Sequence, residues 1–287
     1  MPELPEVEII KQSLEKTVKL KRIKYVVVKN RNLRFKIEKN IEKKLKKEKI
    51  HKIERKAKYL ILHLNTSRYL IIHFGMSGTL HLLKKNNKNT KTNLSFYNNQ
   101  KLPSKHNHIE FFFDNFKLVY NDPRRFGFIL FLSSKIEFQN FFKKKGLEPL
   151  DVNFNYFYLK NKILDRKKNI KNILLDQSII SGLGNIYVNE ILNYSKINPK
   201  KSGFKLNINE IKLLTKNSKI IIKKAIFKGG SSIRDFQSSK GQKGSYQNEF
   251  RAYDRNKKKC LNKHCTGIIK KIFITNRSTF FCENCQK

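Results

Sequence analysis

Hydrophobic and polar positions change their period along this chain, and the change divides it. Near the start, Val7, Ile10 and Leu14 fall on one face of a helix whose first turn suits Pro5. From about Ile23 to Leu132 the apolar runs are short and β-rich: YVVV, YLILHL, YLIIHFG, HIEFFF and FKLVY, with turn-like polar segments between them. That pattern predicts a β-sandwich or barrel. Residues 86–99, rich in Asn, Lys and Thr and without periodicity, read as an exposed loop. A Gly and a Pro break the pattern near Glu148 to Asn155, and a helical period follows. Asn207 and Glu210 resemble a capping box, and Ile208, Ile211, Leu214, Ile221 and Ala225 keep helical spacing until Gly229 and Gly230 stop it. At the end, two cysteine pairs flank IIKKIFI, with TFF leading into the second pair. This predicts a zinc ribbon or hairpin finger. There is no internal repeat.

Charge narrows the partner. The 287 residues hold 63 Lys and Arg against 22 Asp and Glu, a formal charge of +41. A field of that size attracts polyanions, and nucleic acid is the obvious one. Biased use of Lys, Asn and Ile accounts for much of the excess, as in the runs Lys43–Lys47 and Lys143–Lys145, so charge points to a partner without defining a site. No stretch reaches the roughly 18 consecutive apolar residues of a membrane span. MPELPEVEII carries acids where a secretory signal would carry a basic region. A soluble cytoplasmic protein is expected.

The cysteines supply the strongest chemical signal. Four residues separate Cys260 from Cys265, sixteen separate Cys265 from Cys282, and two separate Cys282 from Cys285. Four thiolates so paired can close a tetrahedron around one Zn²⁺ and leave no open position for catalysis. His264 beside Cys265 is the alternative ligand. His73, His106 and His108 lie in β runs without an accompanying cysteine and read as structural or phosphate-facing. In DQSIISGLGNIYVNEIL, Gly182 and Gly184 interrupt two apolar helical stretches and Asn185 opens the second. The N–H groups of such a helix start form a phosphate site; an ordinary helical hairpin capped by Asn185 has the same signature.

MPELPEVE, HFGMSG, NDPRRFG, GLGNIYVNE and the terminal cysteine hairpin occur in this order, and with them the chain resembles the bacterial formamidopyrimidine-DNA glycosylases over essentially its whole length. The resemblance implies an α+β fold: an N-terminal β-sandwich flanked by helices (1–148), a helix-two-turns-helix domain (149–255) and a zinc finger (256–287), with DNA bound in the cleft between the two halves. It implies a base excision enzyme that removes oxidised purines from duplex DNA and nicks the abasic site. A cytoplasmic, nucleoid-associated bacterial monomer with one structural zinc is expected.

Pro2 becomes the N-terminus once Met1 is removed. A prolyl nitrogen there is a secondary amine that titrates near pH 8 (roughly 7.7 to 8.0 for α-amino groups), so part of it is neutral and nucleophilic at neutral pH. By resemblance Glu3 is the acid beside it, Glu6 supports the geometry, and Glu190 is a further carboxylate near the sugar. Lys58 matches the lysine on the phosphate beside the lesion, and Asn185 and Arg277 match the pair that grips phosphates around the flipped nucleotide. Met76, Arg124 and Phe126 match the wedge that fills the space an everted base leaves; as bare residues, Met76 and Phe126 also suit the cores of two hairpins. The segment SSIRDFQSSKGQKGSYQNEFRAY resembles the loop over the everted purine, with Lys240 and Tyr253, like His106, expected among the DNA contacts.

Two features depart from the family. The first cysteine pair encloses four residues instead of two, and the lysine excess should raise nonspecific DNA binding and its salt dependence. Two rival readings stand beside this one. An endonuclease VIII-like enzyme for oxidised pyrimidines is disfavoured by Leu4 in PELPEV and by the Met76, Arg124, Phe126 set; a DNA-binding protein without catalysis is disfavoured by Pro2, Glu3 and Lys58 together.

Overall fold

The computed structural model describes residues 2–65, 67–84, 91–93, 104–231 and 244–287. Its elements are α1 (Leu4–Thr17), β1 (Tyr25–Val28), α2 (Ile41–Leu45), β2 (Ile50–Lys56), β3 (Tyr59–Leu64), β4 (Tyr69–His73), β5 (Thr79–Lys84), β6 (Lys91–Asn93), β7 (Asn107–Phe112), β8 (Phe116–Asn121), β9 (Phe128–Leu132), α3 (Lys135–Phe142), α4 (Tyr156–Ile163), α5 (Ile170–Leu175), α6 (Asn185–Tyr194), α7 (Ile208–Phe227), β10 (Ile269–Ile274) and β11 (Arg277–Cys282). They form two compact units, Met1–Lys143 with Gly229–Ser245, and Lys144–Lys228 with Tyr246–Lys287.

In the first unit two antiparallel sheets, ordered β1-β7-β8-β5-β6 and β2-β3-β4-β9, give the expected two-sheet architecture. β3 and β4 are almost wholly apolar and almost wholly buried, with Leu60 opposite Ile72 and Ile61 opposite Ile71, as befits strands in the middle of a sheet. Helix α1 packs on β2 and β3. It buries Val7, Ile10 and Leu14, the face its period predicts, and the Arg55 guanidinium on β2 holds the Glu8 carboxylate of α1 at 2.8 Å. One expectation needs correction. Within residues 86–99, Lys91–Asn93 form an edge strand paired with β5, Thr92 opposite Leu82. Three polar residues at an edge carry no apolar alternation, so periodicity does not reveal them. Residues 86–90 and 94–99 lie outside the described residues.

The second unit is helical up to the cysteine hairpin. Asn207 caps α7 by accepting the Glu210 N–H while Glu210 returns the bond to the Asn207 N–H, the reciprocal box its sequence predicts. Helix α6 is buried from Ile186 to Asn193, and β10 pairs with β11 through a two-residue turn. Among the described residues no helix is long and apolar enough to cross a membrane.

Candidate active site and nucleic-acid interface

The chain's first helix fixes the geometry of its start. Glu3 sits at the N-cap and Glu6 at the third helical position, and they cap α1 reciprocally, the Glu6 carboxylate accepting the Glu3 N–H at 2.9 Å. The other oxygen of Glu6 accepts from the N–H and hydroxyl of Ser231, at 2.8 and 3.0 Å. Gly230 allows that approach: its φ is +80°, and a Cβ there would lie 3.2 Å from Glu6 Oε1. One buried carboxylate thus fastens the backbone beside Pro2 to the foot of the segment that begins at Ser231. Pro2, Glu3 and Glu6 are all buried, as is Lys58, which occupies the second position of the β2–β3 turn after Ala57 at φ +53°.

Two turns of the same unit interlock to present the wedge candidates. Buried Asp122 is the organiser. Its carboxylate accepts from the N–H groups of Gly127 (2.8 Å) and Arg124 (3.3 Å) and from the Ser77 hydroxyl, and its own carbonyl meets His108 Nε2 at 2.9 Å. Gly75, at φ +56°, backs onto the partner turn so closely that a Cβ would lie 2.3 Å from the Phe126 carbonyl carbon. At Gly127 a Cβ would meet the Tyr120 hydroxyl at 1.9 Å and the His73 carbonyl at 2.5 Å. Backbone against backbone leaves the side chains outside: Met76 and Phe126 are 43% and 45% exposed, which excludes the hairpin-core reading, and the Arg124 guanidinium lies 4.6 Å from the Phe126 ring centre. Met76, Arg124 and Phe126 share a cavity of about 630 Å³ with Arg34, Arg125 and His73. The His73 ring stacks on Phe128. His106, half-buried, accepts the Asp122 N–H at its carbonyl.

In the second unit the hairpin turn at Thr275 and Asn276, both at positive φ, leaves Arg277 exposed. Four side chains brace the strand that follows. Asn172 bonds the Thr275 hydroxyl (2.8 Å), Asn185 Nδ2 donates to the Ser278 carbonyl (3.0 Å), Lys171 Nζ donates to the same carbonyl (2.9 Å) and to Thr279 Oγ1 (2.7 Å), and the Asn189 amide oxygen accepts the Phe280 N–H (2.8 Å). Gly184 is the N-cap of α6 and Asn185 its first helical residue, so the capping alternative for Asn185 fails: its amide braces the arginine-bearing strand. The first N–H groups of α6 have no partner within the helix. Glu190, fully buried, accepts the N–H groups of Arg251, Ala252 and Tyr253 at 2.8 to 3.0 Å. Burial pushes its carboxyl above the usual glutamate range, and those three bonds pull the other way. The Tyr253 ring packs edge-on against Phe280.

The thiols of Cys260, Cys265, Cys282 and Cys285 lie within 4.8 Å of one another, with Sγ–Sγ separations of 3.7 Å (Cys260 to Cys285) and 3.6 Å (Cys265 to Cys282). Zn–S bonds of about 2.3 Å in a tetrahedron place sulfurs about 3.8 Å apart, so the set fits a metal ion. The longer first knuckle is used: Asn262 within it donates to Cys285 Sγ at 3.2 Å and to the Asn193 carbonyl. His264 is exposed at φ +61° and outside the cluster. Burial drives the Cys285 thiol up to about 12. At Cys265 burial opposes ionisation too, but the Gly267 N–H and the neighbouring thiols outweigh it and bring the group to about 7.

The first unit therefore holds Pro2, Glu3, Glu6, Lys58, Met76, His106, Arg124 and Phe126, and the second holds Asn185, Glu190, Tyr253, Arg277 and the four cysteines. Lys240 lies outside the described residues. Three contributors went unseen in the sequence: Asp122, whose signal is its place in NDPRRFG; Ser231, which no local pattern ties to Glu6; and Lys171, one lysine among many.

Comparison with known proteins assigns these motifs. Residues 1–129 match the formamidopyrimidine-DNA glycosylase N-terminal domain and residues 146–237 match the formamidopyrimidine-DNA glycosylase H2TH domain. The chain is 39% identical to the formamidopyrimidine-DNA glycosylase of Rickettsia bellii over 288 residues, and 39% identical to that of Wolbachia pipientis wMel over 287, covering all of both chains in each case. Among solved structures, a Lactococcus lactis enzyme variant in complex with Fapy-dG-containing DNA superposes with a TM-score of 0.87 at 33% identity over the full length of both chains, and the Lactococcus lactis enzyme with abasic-site DNA superposes at 0.86, covering 99% of each. The chain belongs to the formamidopyrimidine-DNA glycosylase family.

Proposed function

We propose that this chain excises oxidised purines, 8-oxoguanine and formamidopyrimidines, from duplex DNA and then cleaves the abasic strand, with Pro2 as the nucleophile after removal of Met1. The observation that carries the reading is the interlocked pair of turns, which exposes Met76, Arg124 and Phe126 around one cavity. An apolar thioether, an aromatic ring and a guanidinium are the groups needed to replace an extruded base and address its orphaned partner.

The neutral prolyl nitrogen attacks the deoxyribose C1′. The glycosidic C–N bond breaks and the base leaves with a proton; Glu3 protonates the ring oxygen as the C1′–O bond opens, leaving an iminium between Pro2 and C1′. The iminium charge acidifies C2′, loss of a C2′ proton expels the 3′ phosphate, and a second elimination expels the 5′ phosphate. Glu6 holds the Glu3 backbone in register. Lys58, Asn185, Arg277 and His106 contribute to phosphate binding, Lys240 and Tyr253 add DNA contacts by resemblance, and Glu190 fixes the 251–253 backbone. One structural Zn²⁺ on Cys260, Cys265, Cys282 and Cys285 holds the hairpin that carries Arg277. The functional division follows 1–148, 149–255 and 256–287, and the enzyme acts as a cytoplasmic monomer.

The test is incubation with a duplex carrying one 8-oxoguanine opposite cytosine in the presence of borohydride. A covalent adduct on Pro2, with Met1 absent, and a nicked strand are expected; a duplex with an oxidised pyrimidine should react more slowly. Zinc-replete protein with a confirmed free proline that gives neither adduct nor nick would overturn the proposal.

A further inference from the structure

Lys171 is 0% exposed and, among the described residues, donates to two neutral acceptors, the Ser278 carbonyl and the Thr279 hydroxyl. That hydroxyl in turn donates to the Arg277 carbonyl at 3.1 Å, so the amine ends a hydrogen-bond chain that reaches the arginine's own backbone. A buried ammonium ordinarily has a carboxylate beside it; among the described residues the surroundings of Lys171 provide none. β11 brings Arg277 and Cys282. α6 brings Tyr187, Glu190 and Tyr194, with the Glu190 oxygens committed to three N–H groups. The segment that receives the N–H groups of Ile170 and Lys171 brings Lys200 and Lys201, and Lys201 is paired with Glu210. Among the described residues the Arg277 guanidinium acts on the amine and repels its charge. Two cations thus share one small region in which the described residues supply no carboxylate.

We propose that the hairpin's grip on a DNA phosphate is coupled to a proton on Lys171: the amine is protonated when a phosphate sits against Arg277 and is neutral when none does. Lys171 is a positioning residue, buried away from the DNA, and it acts through the Ser278–Thr279 backbone and through space. The inference rests on the reading of Arg277 as a phosphate ligand. Burial and then the Arg277 charge bring the free amine to about 7. A phosphate offsets the arginine's repulsion and raises that value. The sign follows from linkage: below about 7 the amine is charged in both states and pH is without effect, while above it binding takes up a proton and affinity falls as pH rises.

The experiment uses the full zinc-loaded chain and a duplex bearing an uncleavable tetrahydrofuran abasic analogue, titrated by calorimetry at pH 8 in HEPES and in Tris, whose ionisation enthalpies differ. Wild type should take up a fraction approaching one proton more than Lys171→Met does, and its Kd should rise by up to about tenfold per pH unit above 7.5 through this group. Lys171→Met should lose that component, and so should Lys171→Arg, which is charged throughout. Zinc content and thermal unfolding establish that both variants fold, and a purely structural lysine would not move the proton count. Equal proton uptake in wild type and both variants overturns the inference. If wild type traps on Pro2 with borohydride but shows no such uptake, this inference alone fails; if it neither traps nor binds the duplex, the reading beneath it fails first.

Discussion

Two turns in this protein each carry an arginine, Arg124 and Arg277, and they are built on opposite principles. Residues 122–127 are fixed by the main chain: Asp122 gathers two N–H groups, Gly75 backs onto the Phe126 peptide, and Gly127 leaves no room for a Cβ. Residues 275–279 are fixed by side chains and thiols. Their hydrophobic support is a small cluster of Ala252, Cys260, Ile269, Phe280 and Cys282, and the bracing comes from Lys171, Asn172, Asn185 and Asn189. The first turn draws its rigidity from a domain core. The second has little apolar area of its own, and its four clustered thiols could hold a metal ion that would complete it. Precision in a turn can therefore come from close backbone packing or from side-chain bracing beside a candidate metal site, and the two should fail differently.

Metal removal should separate them most widely. Chelation, or Cys282→Ser, should release the hairpin and weaken binding to abasic-analogue duplex by about 100-fold, the order expected when charge-assisted phosphate contacts are lost. Gel-shift or anisotropy titrations measure this. Near-ultraviolet circular dichroism of the first unit's aromatic cluster, which includes Tyr59, Phe128 and Phe142, should hardly change. Undiminished affinity in verified metal-free protein would mean that the brace residues suffice without the ion.

The converse break is Gly127→Ala. A Cβ 1.9 Å from the Tyr120 hydroxyl and 2.5 Å from the His73 carbonyl has no flexible neighbour to displace, so the substitution should cost about 3 kcal/mol, read as a lower denaturation midpoint at constant slope. Zinc content should stay the same. A change within about 0.5 kcal/mol would show that the turns are not locked by contact at that position.

How far each region was legible follows from the same contrast. Cysteine spacing announces the hairpin because four ligands in one short segment are a local pattern. α1 and α7 announce themselves through caps and period, which are local too. Glycines in HFGMSG and NDPRRFG mark turns, but that Gly75 meets Phe126 and Gly127 meets Tyr120 is a fact of tertiary packing. Lys171 shows the limit most clearly: in a chain with 63 basic residues, nothing local sets apart the one that folding buries beside Arg277. The Glu6–Ser231 contact spans the chain and carries no periodic signal at all.

The smallest effect tests the difference in charge pairing. Among the described residues the second unit gives Lys171 and Arg277 no carboxylate partner, whereas the first satisfies Arg55 with Glu8, both mostly buried, at 2.8 Å. Burial alone would raise the Glu8 carboxyl, but the hydrogen bond and charge of Arg55, helped by Lys11 and Gln12, more than compensate and hold it below the ordinary glutamate value. A carboxylate lowered in the folded state contributes stability that is fully present above its unfolded value, about 4.3, and is lost as pH falls through the lower folded value. Glu8→Gln should therefore cost about 1 kcal/mol at pH 7, near the upper end for pairs of limited exposure. The gap from wild type should close as both are unfolded at successively lower pH beneath about 4.3. A gap that persists unchanged at pH 3 would assign the effect to lost packing of α1 on β2 instead of to the ion pair, and the contrast between the units would then be one of shape alone.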